Sequence, residues 1–310
     1  MKAKVLVPII IGAVVLTVAI IFLILALSTP TVNKTHVIED PFANFTINVS
    51  TTDIEFSVSD DGTVKVVTDE TEKQYHRVEV ADNTLIITRI DDRNVFEKLY
   101  GFGHKFKVHV YLPATEYGNL NLKTTTGDVK VAQGLTFNSA EIKLTTGDVS
   151  FLSDVKDSFN AAVSTGNVEI GNMNLNKLTL ISTTGNKRIS NVTAQETVTI
   201  SSSTGNTTLD NVTCKSLSIL GTTGSVTLNN TQASDSFTIT ASTGNVTLND
   251  ADAGTIFIKT TTGNVKGTLL TNKIIFAETN TGHANVPHLT EGGKCEIKTS
   301  TGNIEISIKE

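Results

Sequence analysis

The dipeptide Thr-Gly occurs ten times in the last two thirds of this 310-residue chain, with its glycines at Gly127, Gly147, Gly166, Gly185, Gly205, Gly224, Gly244, Gly263, Gly282 and Gly302. Every interval between them is 19 or 20 residues. A repeat that short has no room for the helical crossover that parallel strands otherwise need. One repeat also cannot bury an apolar face by itself, so the repeats must wind and stack. The spacing therefore predicts an all-β solenoid, a single-stranded parallel β-helix of 19–20-residue coils.

Aligning the coils on the glycine exposes the core. Seven residues ahead of it stand Leu120, Ala140, Phe159, Leu178, Val198, Leu217, Phe237, Ile256, Ile275 and Cys295. Five ahead stand Leu122, Ile142, Ala161, Leu180, Ile200, Ile219, Ile239, Ile258, Ala277 and Ile297, with mostly polar residues between. Alternation resumes after the glycine, as in Val129/Val131 and Val246/Leu248. Period two is the mark of a strand with one buried face. Each coil is thus expected to hold two short strands joined at a Thr-Gly-Asn/Asp corner. Glycine and asparagine tolerate positive φ there, and stacking at about 4.8 Å lines the corner residues up in columns. Ten coils make a rod about 45–50 Å long.

Composition agrees with strands and turns: there is no Trp and there are only two Met and five Pro. The formal net charge of −6 is spread along the chain, which excludes a nucleic-acid binder. Residues 5–27 carry no charge and follow Lys2 and Lys4. A helix of that length spans roughly 34 Å, enough for a bilayer core. A cleavable signal peptide ending near Ala26 and Ser28 is the competing reading, but its apolar core would be unusually long. The expectation is a signal anchor with residues 1–4 in the cytoplasm and the body exported, in a single-pass plasma-membrane protein. Residues 28–41 read as a stalk, 42–113 as a cap with degenerate coils, and 114–310 as the ten-coil solenoid. Within the cap, the stretch from Val49 to Phe56 looks like a corner that has lost its glycine.

The lead-in strand from Phe106 to Pro113, the segment from Leu120 to Val129, and the repeated Ser/Thr-Thr-Gly-Asn/Asp-Val units resemble the bacterial and archaeal putative-adhesin β-strand-repeat family, a domain of unknown function. The resemblance covers roughly residues 42–310. It implies a right-handed β-solenoid on a membrane or cell-surface protein. Two coils depart from the pattern, with Lys187 in an inward position and Gly282-His283-Ala284 at one corner; both corners are expected to be distorted.

Solenoid enzymes that cleave polysaccharides need clustered carboxylates or bound metal on a strand face. The outward acids Glu141, Glu169, Glu278, Glu296 and Glu305 are dispersed, and only Glu278/Glu296 are neighbours. In the corner column, Asp128/Asp148 favour turn capping over Ca²⁺ binding. The histidines His36, His76, His104, His109, His283 and His288 lack metal-ligand spacing and read as surface or turn residues. Cys214 and Cys295, four coils apart, read as unpaired thiols. Eight N-x-[ST] sequons, at Asn33, Asn44, Asn48, Asn191, Asn206, Asn211, Asn229 and Asn245, follow from the Thr/Asn-rich repeat. An ice-binding face is disfavoured, because the Thr before each glycine shares the parity of the core. No catalytic residue, metal site or cofactor is assigned.

The function these features favour is a non-catalytic surface or envelope protein, an adhesin or macromolecule-binding scaffold. The alternatives are a membrane-tethered carbohydrate-active enzyme and an envelope-stress signalling component. Expected partners are the membrane through residues 5–27, a surface protein or glycan, and a second copy through the open edge of the final coil around Ile304, Ile306 and Ile308.

Overall fold

The computed structural model describes residues 14–18, 31–100 and 105–310. Residues 14–18 are helical; the rest of the apolar segment 5–27 and residues 1–4 lie outside the described residues. Among the described residues, no helix is long and apolar enough to cross a membrane. The strands form one sheet wound into a parallel β-solenoid. Residues one repeat apart are lateral partners, as in Leu178↔Val198 and Val198↔Leu217.

Each of the regular central coils turns three times, where the periodicity predicts two strands. In the strand Val168–Thr184, the buried side chains are Val168 and Ile170, then Met173 and Leu175, then Leu178, Leu180 and Ser182. Parity therefore breaks at Asn172, again next to Lys177, where the register shifts, and at the Thr-Gly corner. The second bend is made by asparagine in left-handed backbone: φ is 61° at Asn172, 53° at Asn191, 56° at Asn211 and 44° at Asn230, with Asp250 at 54°. Asparagine visits this conformation at low cost, so the strand bends without a loop. The interior is a column of Leu, Ile and Val, each contributing roughly 1.5–3 kcal/mol on burial. Toward the N-terminal end it becomes a run of phenylalanines, with Phe45–Phe137, Phe137–Phe151 and Phe151–Phe159 ring centroids 5.9, 5.9 and 4.9 Å apart.

The cap contains two further coils stacked out of sequence order. Strands Asn44–Asn48 and Thr52–Val58 lie against the Gly127 coil, pairing Phe45↔Leu120 and Ile54↔Val129. Their corner is the glycine-less one, with Thr51 bridged to Thr126. On their other side lie Thr84–Asp91 and Phe106–Leu112, pairing Phe45↔Leu85 and Ile54↔Val108. That outer coil replaces its corner with an excursion containing a short helix, α1 (Val95–Tyr100). A reversed turn of chain closes the end: Gln74–Ala81 runs antiparallel to Thr84–Asp91, and Val64–Glu70 antiparallel to Phe106–Leu112. The segment expected as a stalk includes a strand, Val32–Ile38, antiparallel to Val64–Glu70.

The C-terminal end corrects the expected stacking order. Strand Gly293–Thr301 pairs on one side with Val246–Thr262 and on the other with Lys273–Thr281. The Gly302 coil therefore sits between the Gly263 and Gly282 coils, and Ile304–Ile308 pairs with Val265–Leu269. The free edge belongs to Lys273–Thr281 and Ala284–Asn285, so the open edge expected of the final coil lies one coil away from it. The chain reaches this order by crossing itself at Gly292-Gly293, where a Cβ would lie 2.0 Å from the Asn272 carbonyl oxygen and 2.2 Å from that of Gly254. At both ends of the solenoid, a segment from deeper in the sequence covers a coil nearer the terminus.

Candidate functional site

The corner glycines fix the most regular surface of the rod. At Gly185 φ is 134°, and a Cβ would lie 1.9 Å from the Gly166 carbonyl oxygen below it. The coils thus approach too closely there for any side chain. Just ahead of this bend, the chain turns both preceding side chains outward. The pairs Thr125-Thr126, Thr145-Thr146, Ser164-Thr165, Thr183-Thr184, Ser203-Thr204, Thr222-Thr223, Ser242-Thr243, Thr261-Thr262 and Ser300-Thr301 are all exposed, as are Asn280-Thr281. The Thr before each glycine does not share the parity of the core, which overturns the premise used against a regular hydroxyl face. Stacking makes a ridge two hydroxyls wide, with layers about 4.8 Å apart.

Beside the ridge, side-chain oxygens cap the corner amides in an unbroken series. The Asp128 amide donates to Asp53 Oδ1 at 2.7 Å and that of Asp148 to Asp128 Oδ1 at 3.0 Å. The series continues through Asn167, Asn186, Asn206 and Ser225, then to Asn245, Asn264, Asn303 and His283. Asp128 and Asp148 are therefore turn caps, with Lys105 Nζ also 3.4 Å from Asp128. The second bend has its own ladder: Asn191, Asn211 and Asn230 each donate through Nδ2 to the asparagine one coil earlier, at 3.2, 3.0 and 3.0 Å. The sequon residues Asn191, Asn206, Asn211 and Asn245 all belong to these two ladders.

The buried polar groups have structural partners. Lys187 is fully buried, and its ammonium donates to the carbonyls of Gly185 at 2.8 Å and Gly205 at 3.0 Å and to Ser202 Oγ. Its corner has the same backbone as the others, so the expected distortion is absent. Burial pushes its pKa down to about 8. Cys214 and Cys295 are free and buried, and burial pushes both thiols up to about 12. His283 and His288 lie at the surface as expected, but His76 is buried against Thr52, with Nε2 3.4 Å from Oγ1. Burial, reinforced by Arg89, brings it down to about 4. No cluster among the described residues has the makings of a metal site.

Glu278 and Glu296 lie on adjacent coils but offset along the strands, lining a shallow cleft of about 420 Å³ with Phe276, Ala277, Lys294 and Lys298. Lys298 Nζ lies 3.6 Å from Glu278 and 3.1 Å from Glu296, and Lys294 lies 2.8 Å from Glu296. The hydrogen bonds from Lys294 and Lys298 hold Glu296 below its ordinary range. A general acid needs the opposite shift.

At the N-terminal end, α1 is a built element. Asn94 Oδ1 accepts from the Glu97 amide at 2.9 Å, and Glu97 Oε2 accepts from the Asn94 amide at 2.8 Å. This is a reciprocal capping box, legible as Asn94-x-x-Glu97 although sequence reasoning passed over it. Glu97 is also ion-paired with Lys73, in the turn of the closing segment.

A three-sided stack of ladder-locked corners defines a repeat protein of the parallel β-solenoid class. The chain belongs to the Toastrack DUF4097 family, which matches residues 42–202 and 193–310. Among solved structures, it is similar to a putative adhesin from Parabacteroides distasonis, with 16% identity and a TM-score of 0.50, covering 90% of this chain and 98% of that one. A putative adhesin from Parabacteroides merdae is 13% identical with a TM-score of 0.46, covering 91% and 98%. No curated protein matches.

Proposed function

We propose that the chain is a single-pass surface or envelope protein, held by residues 5–27, whose rod stands outside the membrane and binds an extended polar macromolecule without catalysis. One observation carries this reading: the exposed hydroxyl ridge runs unbroken through nine stacked coils, from Thr125-Thr126 to Ser300-Thr301, and the capped corners beside it continue into the tenth. Hydroxyls at a constant layer spacing suit a partner that itself repeats, and a glycan chain fits best. The rigid backbone keeps the array ordered before binding, which limits the entropic cost of association. The lysine-paired carboxylates at Glu278 and Glu296 support a binding role over hydrolysis. The relative from P. distasonis bears the name of a putative adhesin, and the present reading extends that kind of role to this chain.

The test uses the full-length chain expressed in cells. The body should be cleaved by protease added outside intact cells, and cells carrying it should adhere to immobilised glycans. Changing Thr183, Ser203, Thr222 and Ser242 together to Glu should abolish adhesion while circular dichroism stays unchanged. Adhesion that survives these changes, or glycan hydrolysis by the wild type, contradicts the reading.

A further inference from the structure

The first residues after the apolar segment arrive at the same corner of the rod as α1. Val32 pairs with Glu70, at the end of the strand whose following turn carries Lys73. Lys73 in turn holds Glu97 of α1. Only five residue steps separate Leu27 from Val32, which limits their separation to about 18 Å. Were residues 5–27 to span a bilayer, this corner would lie at its surface.

The side chains displayed there are ill suited to water. Val95 is 78% exposed and Phe96 74%, on a helix that its capping box and ion pair hold in place, and Val32 is 65% exposed. Exposed Lys98 and Lys34 flank them. Apolar side chains with lysines close by in the chain suit the boundary between acyl chains and headgroups.

We propose that Val95 and Phe96 insert into the membrane interface beside the anchor, so that α1 is a second foot fixing the tilt of the rod. This inference rests on the membrane-anchored reading above.

The chain contains no tryptophan, so Phe96→Trp provides a sole fluorescent reporter and Phe276→Trp a matching one at the far end. Each full-length variant is reconstituted into vesicles of mixed zwitterionic and anionic lipid, with and without brominated acyl chains. The reporter at 96 should emit to the blue of the one at 276 and be quenched at least twofold by the brominated lipid, and adding Val95→Asp should reduce that quenching. The reporter at 276 should be unaffected. Flotation with the vesicles and a solvent-exposed reporter at 96 would overturn the docking alone. Failure to float would overturn the anchor, and the docking with it.

Discussion

Lys273 reaches past Gly293 to Asp252, placing Nζ 2.5 Å from Oδ1. A Cβ on Gly293 would lie 3.4 Å from Lys273 Cδ. Both charged residues are buried. The pair joins the coil before the inserted Gly302 coil to the strand after it, and so latches the crossing.

Removing one member leaves the other charge buried without a counter-ion. Lys273→Ala or Asp252→Ala should each cost about 3–5 kcal/mol in denaturant unfolding. Lys273→Met with Asp252→Leu should recover much of that loss. Additive losses in the double variant would show that the two side chains act independently.

Two glycines in one coil should respond oppositely to the same change. At Gly224 φ is 139° and a Cβ would stand 2.3 Å from the Gly205 carbonyl oxygen, whereas at Gly221 the nearest atom is 4.0 Å away. Gly224→Ala should cost at least about 2 kcal/mol, from steric and backbone strain. Gly221→Ala should stay within about 1 kcal/mol of wild type or stabilise. Urea midpoints of the two variants decide it, and equal effects would contradict the close packing of the corners.

Lys187 gives the fold a signature in alkali. Its folded value, about 8, lies below the ordinary lysine value of 10.5. Below pH 8 both folded and unfolded chains carry the charge; between pH 8 and 10.5 the unfolded chain holds more of the proton. Stability should therefore rise with pH across that window, by up to about 1.4 kcal/mol per unit. Relative to wild type, Lys187→Met should lose this rise. Parallel stability curves for the two proteins would refute the shift.

Much of the solenoid was legible because its constraints are local. The Thr-Gly spacing and the inward positions seven and five ahead of it are set by strand parity, and the columns from Leu120 to Ile258 are buried as read. The glycine-less corner at Thr52-Asp53 was readable for the same reason. The second bend was present as a column of asparagines six places after the glycine. It went unread because left-handed asparagine leaves the strand continuous. The inserted final coil was hidden for a different reason: parity does not say which coil a strand lies beside, and the crossing depends on long-range contacts of Gly292, Gly293, Lys273 and Asp252. The hydroxyl ridge was misread because parity breaks one residue before the glycine, turning both Thr183 and Thr184 outward. Lys187 looked like a defect, since no single-residue rule reports the carbonyls that a neighbouring corner supplies.

Stacking order is the claim on which the rest turns, because it decides which coil forms the tip and how the ridge continues to it. Lys259 and Lys298 are lateral partners, as are Lys298 and Glu278, and all three are exposed. Adjacent layers lie about 4.8 Å apart, within disulfide reach, while residues two layers apart are about 9.6 Å apart and beyond it. Oxidation of the Lys259→Cys/Lys298→Cys variant should form an intramolecular disulfide, and Lys259→Cys/Glu278→Cys should remain reduced. Bridging at 259 and 278 with free thiols at 259 and 298 would mean that the coils stack in sequence order, contradicting the inserted final coil.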